Sequence, residues 1–244
     1  MRIAALSDIH GNLGALDAVL GDIRRRGADM IVNLGDILSG PLLPRETAGR
    51  LMELDLPTIK GNHERQLLDD DLAAMGASDR FAAEAITPAQ RAWLTTLPAT
   101  LQVTDDVFMC HATPQNDVDC FLENIRNGEL IPATLPQIED RARPCSAPLI
   151  LCGHTHIPRV ARLRNGQIIV NPGSVGIQAY EGHHPLPHVV EIGSPHARYA
   201  VVERTASGWT AELFAIPYDW ESAGDLANRH GRPQWSRPLS TGFL

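Results

Sequence analysis

Short apolar runs recur along the chain, and each one stops at a glycine or a polar cluster. Ile3-Ala4-Ala5-Leu6 gives way to Asp8-Ile9-His10-Gly11-Asn12, and Met30 to Leu34 ends in Gly35-Asp36. Thr58-Ile59-Lys60 runs into Gly61-Asn62-His63-Glu64, Val107 to Cys110 delivers His111, and Leu149 to Cys152 ends in Gly153-His154-Thr155-His156. Unbroken apolar runs of this length read as strands buried on both faces. Between the first two, Leu13, Leu16, Leu20 and Ile23 recur at helical spacing, with Asn12 placed to cap the start, Arg24 to Arg26 in the last turn and Gly27 beyond it. Strand, helix, strand predicts a parallel βαβ unit, so Asp8 and Asp36 leave the same sheet edge, where open α/β sheets carry their chemistry.

The rest of the pattern fills in a single domain over residues 1–244. Pro44, Thr47, Leu51 and Leu54 predict a second helix, and the stretch from Leu67 to Pro98 reads as helical with Ser78 and Thr87 as N-caps. Trp93 and Leu97 are assigned to the core, and Asp69-Asp70-Asp71 to a solvated loop. Hairpins are expected around Asp105-Asp106, Asn165-Gly166 and Ser207-Gly208, with a terminal helix over residues 219–230. Residues 113–148 form an excursion, a lid-like insertion: Val118, Phe121, Leu122 and Ile125 mark a short helix ended by Asn127-Gly128, with four prolines after it. Its Arg126, Arg141 and Arg143 are candidates to meet a phosphate or to serve as ordinary surface residues. Residues 232–244, rich in proline and serine, are expected to fray or pack irregularly.

Composition narrows the classes of function. The 244 residues are 43% hydrophobic, enough for a sizeable core, and contain neither a signal-peptide h-region nor an apolar run long enough to span a membrane. A cytoplasmic protein without membrane association is expected. Cys110, Cys120, Cys145 and Cys152 form no C-x-x-C pair and are read as reduced, mostly buried thiols. A net charge of −8 argues against duplex nucleic acid as the main partner and leaves a small phosphoester or nucleotide substrate open.

The chemistry sits at the strand ends. Asp8, His10, Asp36, Asn62, His63, His111, His154 and His156 all follow expected strands, and Gly153 permits a tight turn before its two histidines. Carboxylates and imidazoles without a thiolate suit manganese, iron, zinc or nickel rather than a structural zinc ribbon. Eight candidates are too many for one mononuclear site.

In these motifs and their order the chain closely resembles the calcineurin-like metallophosphoesterases. His111-Ala-Thr-Pro, Asn171-Pro-Gly-Ser174 and Gly193-Ser-Pro-His-Ala-Arg-Tyr199 make it similar to the small bacterial phosphodiesterase branch. The resemblance implies an α/β fold, a four-layer α/β/β/α sandwich, with two divalent metal ions, manganese first and iron, zinc or nickel as alternatives. It implies that Asp8, His10 and His156 hold one metal, that Asn62, His111 and His154 hold the other, and that Asp36 bridges them. His63 would act on the leaving oxygen, making Asp36 and His63 the catalytic residues. The implied activity is hydrolysis of phosphodiesters of small molecules or nucleotides, by in-line attack of a hydroxide shared between the metals. A phosphomonoesterase or dinucleotide polyphosphate hydrolase is the alternative enzyme, and a non-catalytic metal-binding docking scaffold the alternative of another class. The pattern also departs from the protein-phosphatase relatives. Where they carry a second Asp followed by Arg after Gly-Asp, this chain has Ser39 and Gly40, so another residue must orient His63. Oligomeric state is not encoded in these motifs.

Overall fold

The computed structural model describes residues 1–69 and 71–244; of the expected acidic loop, Asp70 lies outside the described residues. The strands are β1 (Arg2–Leu6), β2 (Met30–Asn33), β3 (Thr100–Thr104), β4 (Val107–Cys110), β5 (Glu123–Arg126), β6 (Glu129–Pro132), β7 (Leu149–Leu151), β8 (Arg159–Arg162), β9 (Ile168–Asn171), β10 (Ala179–Gly182), β11 (His188–Glu191), β12 (Ala197–Thr205) and β13 (Gly208–Ile216). The helices are α1 (Leu13–Arg26), α2 (Pro44–Leu54), α3 (Asn62–Asp69), α4 (Ala77–Ala85), α5 (Pro88–Thr96), α6 (Leu135–Ala142), α7 (Trp220–Arg229) and α8 (Ser236–Thr241), the last preceded by a 3₁₀ turn over Pro233–Trp235.

Two sheets face each other. One has the order β13-β12-β1-β2, with β1 and β2 parallel; the other has the order β3-β4-β7-β9-β8, with β4, β7 and β9 parallel. Side chains alternate across each strand, and the alternation builds the layers. Ile3 and Ala5 join Met109, Leu149, Leu151 and Val170 in the core between the sheets. Ala4 and Leu6 face outward to meet Leu16, Val19 and Ile23 of α1. On the second sheet Ile150, Cys152 and Ile169 face outward against Phe121, Leu122 and, from α6, Ile138 and Ala142. The result is the expected α/β/β/α sandwich, its second helical layer supplied by the excursion after His111. The four cysteines are free and buried, and burial pushes the Cys110 and Cys152 thiols well above their usual range, as packing residues.

Several local expectations need correction. Val118 to Ile125 is not a helix: Asn127-Gly128, both at positive φ, instead turn the hairpin β5–β6. That hairpin joins β10 and β11 in a third sheet of order β10-β11-β6-β5. The helical spacing of Val118, Phe121, Leu122 and Ile125 is overridden here, because the Asn-Gly pair makes the tight turn of a hairpin instead of ending a helix. Thr58 to Lys60 makes only one parallel bridge, Asn33 to Thr58, because Pro57 lacks an N–H and Lys60 N donates instead to the Pro98 carbonyl. Gly76 rather than Ser78 precedes α4, whereas Thr87 caps α5 with a complete capping box. Residues 232–244 do not fray. Pro238 and Leu239 are buried, Leu239 in a cluster with Leu42, Ile177 and Ala227, and Gly193 N donates to the Gly242 carbonyl at 2.9 Å. Among the described residues no helix is long and apolar enough to cross a membrane.

Candidate metal centre

The parallel register Ile3↔Met30 through Leu6↔Asn33 brings the loops after β1 and β2 out side by side. The ends of β4, β7 and β9 open toward the same place from the second sheet. Among the described residues, five of the seven non-glycine residues at positive φ lie in these loops: Asp8, His10, Asp36, His154 and His156. This backbone costs L-residues about 1–2 kcal/mol each and persists only where neighbouring contacts enforce it. The enforcement is visible. Asp8 N donates to the Gly35 carbonyl and His10 N to the Asp36 carbonyl, both at 3.0 Å, and Ser174 Oγ donates to the Asp8 carbonyl at 2.8 Å. Asn171 Nδ2 donates to the Gly153 carbonyl at 2.7 Å, holding the loop that carries His154 and His156. Gly61 is required by close approach, since a Cβ there would overlap the Asp36 carboxylate.

Glu64 is the main buttress. Fully buried, its carboxylate accepts from Asp36 N and Ile37 N at 2.8 Å each and from Gly61 N at 3.0 Å, joining two ligand loops. Burial and the nearby Asp36 carboxylate raise its pKa, opposed by these N–H groups. Glu64→Ala orphans three buried donors and is expected to cost on the order of 3 kcal/mol in urea unfolding. A midpoint equal to that of the unaltered protein would refute the buttress.

Ligand geometry is set by the imidazoles' other nitrogens. His10 Nδ1 donates to the Ser39 carbonyl at 2.7 Å, His111 Nδ1 to the Leu34 carbonyl at 2.8 Å and His156 Nδ1 to the Ile177 carbonyl at 3.0 Å. His154 reverses the pattern, donating from Nε2 to the Val118 carbonyl at 2.9 Å. A carbonyl only accepts, so each ring presents a fixed remaining nitrogen to the interior. Those atoms assemble with carboxylate oxygens into two groups, Asp8-His10-His156 and Asp36-His111-His154, each with ligand atoms within 4.8 Å of one another.

The donor set fits cations. His10 Nε2 and His156 Nε2 face each other at 3.2 Å, two lone pairs in opposition, with Asp8 Oδ1 3.5 Å from His156 Nε2. That Asp8 oxygen is buried without a hydrogen-bond partner. Burial, reinforced by neighbouring imidazoles, lowers the His10 and His154 pKa values to about 4, so both rings are neutral donors at neutral pH. One arm of the Asn62 amide stands 3.0 Å from His154 Nδ1 and 3.3 Å from His111 Nε2; as oxygen it faces the His154 lone pair, an opposition that a cation between them would satisfy. His111 Nε2 lies 3.1 Å from Asp36 Oδ2. Burial alone would lower the His111 pKa, but Asp36 overrides it and raises it to about 10 in the metal-free protein, so a metal ion must displace that proton.

His63 stands beside the groups rather than in them. Its backbone N donates to Asp36 Oδ1 at 3.0 Å, and its Nδ1 donates to Asp79 Oδ1 at 2.8 Å. Asp79, buried in the first turn of α4, is thus the partner that Ser39 and Gly40 do not supply. Burial opposes charge on His63, but Asp36 first and then Asp79 outweigh it and raise its pKa to about 9.

A cavity of about 610 Å³ opens over the centre, lined by His10, Asp36, Asn62, His63, His154 and His156. Its further walls were not anticipated: Tyr180 of β10, and Trp235 and Arg237 from the segment expected to fray. His183, His184 and His188 are not in the lining, nor are the excursion's arginines. Arg141 donates to the Phe121 and Glu123 carbonyls, and Arg143 pairs with Asp140. Asp79 and Trp235 carry no local sequence signal, because each reaches the site only through packing.

A calcineurin-like phosphoesterase superfamily domain matches residues 1–192. An uncharacterized protein of Methanocaldococcus jannaschii, MJ0912, is 26% identical over 96% of this chain and 94% of its own. A metallophosphoesterase from Sphaerobacter thermophilus superposes with a TM-score of 0.76 at 24% identity, over 99% of each chain. The hypothetical protein PH1004 from Pyrococcus horikoshii OT3 gives a TM-score of 0.75 at 20% identity, covering 99% of this chain and 98% of that one.

Proposed function

The chain belongs to the calcineurin-like phosphoesterase superfamily, and on that premise we propose that it is a cytoplasmic two-metal phosphodiesterase acting on phosphodiesters of small molecules or nucleotides. The observation that carries this reading is the pair of three-ligand groups whose imidazole tautomers are fixed by backbone carbonyls. Asp8, His10 and His156 would hold one divalent ion, Asn62, His111 and His154 the other, with Asp36 shared and manganese the first candidate. Two such ions supply acidified water and positive charge against the phosphoryl oxygens.

The chain's own residues supply the rest. His63, fixed at Nδ1 by Asp79, has Nε2 left to donate a proton to the departing alkoxide. The loops held by Glu64 and Asn171 keep the ligands in place during turnover. The four buried, unpaired cysteines agree with a reducing compartment.

Elemental analysis, combined with turnover of bis-p-nitrophenyl phosphate and p-nitrophenyl phosphate, tests this reading. Diester hydrolysis that chelation removes and Mn²⁺ restores is expected. Turnover of the monoester alone would overturn the diesterase assignment, and a protein that binds no metal under replete conditions would overturn the metal-dependent reading.

A further inference from the structure

The cavity has one wall outside the residues that match the family domain. The 3₁₀ turn and α8 lay Pro233, Trp235, Arg237 and Pro238 along it. This wall is anchored: Leu239 is fully buried, Gly193 N bonds the Gly242 carbonyl, and His230 Nδ1, on the preceding turn, donates to the Pro41 carbonyl at 2.7 Å.

Trp235 is half-buried, packed beside the cluster of Leu42, Ile177, Ala227 and Leu239. Its six-membered ring lies over Gly40, where a Cβ would come within 3.2 Å of Cη2, and its ring meets His10 edge-on at 6.3 Å between centroids. Gly40, which stands where the protein-phosphatase pattern has Arg, has no Cβ to meet the His10 carbonyl, its nearest neighbour, and it also leaves room for this indole beside the metal ligands. Tyr180 packs on the other ligand of the same group, His156, at 4.6 Å. The two ligands are thus each flanked by an aromatic ring, and both rings line the cavity. Arg237 is exposed and has no acidic partner among the described residues. Ser39 Oγ, also in the lining, is buried without a hydrogen-bond partner.

A phosphoester site needs only a few polar groups near the metals, so aromatic walls and a second cationic point recognise the part of the substrate that does not react. A cavity of about 610 Å³ admits a ligand of nucleotide size. We propose that the substrates are nucleotides, with the base stacked on Trp235 and a phosphate other than the reacting one held by Arg237. This rests on the phosphoesterase reading of the site. Stacking accepts any base because every base has a π-face, so recognition follows the presence of a base more than its identity. A guanidinium adds a directional contact to phosphate oxygens.

Calorimetric titration of the Mn²⁺-loaded protein with ribose 5-phosphate, adenosine monophosphate and adenosine diphosphate tests both contacts. The unaltered protein is expected to bind the monophosphate about tenfold more tightly than ribose 5-phosphate, and Trp235→Leu to shrink that ratio to about twofold while Trp235→Phe keeps most of it. Arg237→Gln, at an exposed position that does not threaten folding, is expected to erase the advantage of the diphosphate over the monophosphate and leave the base preference intact. Equal affinities for the monophosphate and ribose 5-phosphate in the unaltered protein, or an equal loss for both in Trp235→Leu, would overturn the proposal. Turnover of methyl p-nitrophenyl phosphate separates the two readings. Its hydrolysis without any base preference defeats only the nucleotide inference, whereas a base preference without hydrolysis defeats the phosphodiesterase and leaves a nucleotide-binding wall.

Discussion

Asp36→Asn is expected to lower turnover of bis-p-nitrophenyl phosphate on the order of a thousandfold, and to reduce bound metal from about two ions per chain to about one or fewer. The reason lies in how many interactions converge on that carboxylate. One oxygen accepts from His63 N at 3.0 Å and the other lies 3.1 Å from His111 Nε2. Burial would raise the Asp36 pKa, yet His111, His63 and His10 together hold it well below the usual carboxylate range, so it is ionised and ready to bind cations. An amide of the same shape keeps the packing and removes the charge, leaving the second metal group without its carboxylate. The backbone N–H groups of residues 36 and 37 still bond Glu64 in the variant, so its unfolding midpoint should stay close to the parent's. Full metal content with undiminished turnover in Asp36→Asn would remove Asp36 from the centre.

The second large effect is expected at Asp79, and it depends on the leaving group. Asp79→Ala should lower kcat about a hundredfold for a diester with an alkoxide leaving group, and only a few-fold for bis-p-nitrophenyl phosphate. Nitrophenolate departs without a proton and so has little need of His63, whereas an alkoxide depends on it. KM should change little, because Asp79 acts through His63 and does not line the cavity. Asp79→Asn keeps an acceptor for His63 Nδ1 and should restore part of the loss. The sign of the pH effect follows from charge. Asp79 raises the His63 pKa, so its removal lets that pKa fall. A general acid works while protonated; activity is lost as pH rises through its pKa, and the alkaline limb of kcat must therefore move to lower pH in Asp79→Ala. An equal loss on both substrates with an unmoved alkaline limb would reduce Asp79 to a residue that only holds α4 in place.

Both predictions mark where the sequence is readable. Asp36 is legible because its signal is local: a buried strand, a glycine and an acid, in parallel register with a second strand that ends in Asp8 and His10. Each residue of the two metal groups lies directly after such a run, and so do Asn62 and His63. Alternation within β1 and β7 likewise encodes the layering, since Ile3 and Ala4 must face different neighbours. The excursion was not readable in the same way, because Val118, Phe121, Leu122 and Ile125 fall at helical spacing, and only the antiparallel pairing across the Asn127-Gly128 turn made Glu123–Arg126 and Glu129–Pro132 strands.

What the chain determined by itself, then, is whatever short-range physics dictates: which segments are buried, where they stop, and which acids and imidazoles are carried at those stops. Tertiary structure alone decided the partners of those groups. Asp79 lies 16 residues from His63 and reaches it only because α4 folds back beside α3. Asn171, Glu64 and the carbonyls of Ser39, Leu34, Ile177 and Val118 fix loops and tautomers through contacts that no spacing rule encodes. Trp235 became a wall of the site because Leu239 found a pocket with Leu42 and Ile177, a burial gain that outweighs the weak local propensity of a segment rich in proline and serine.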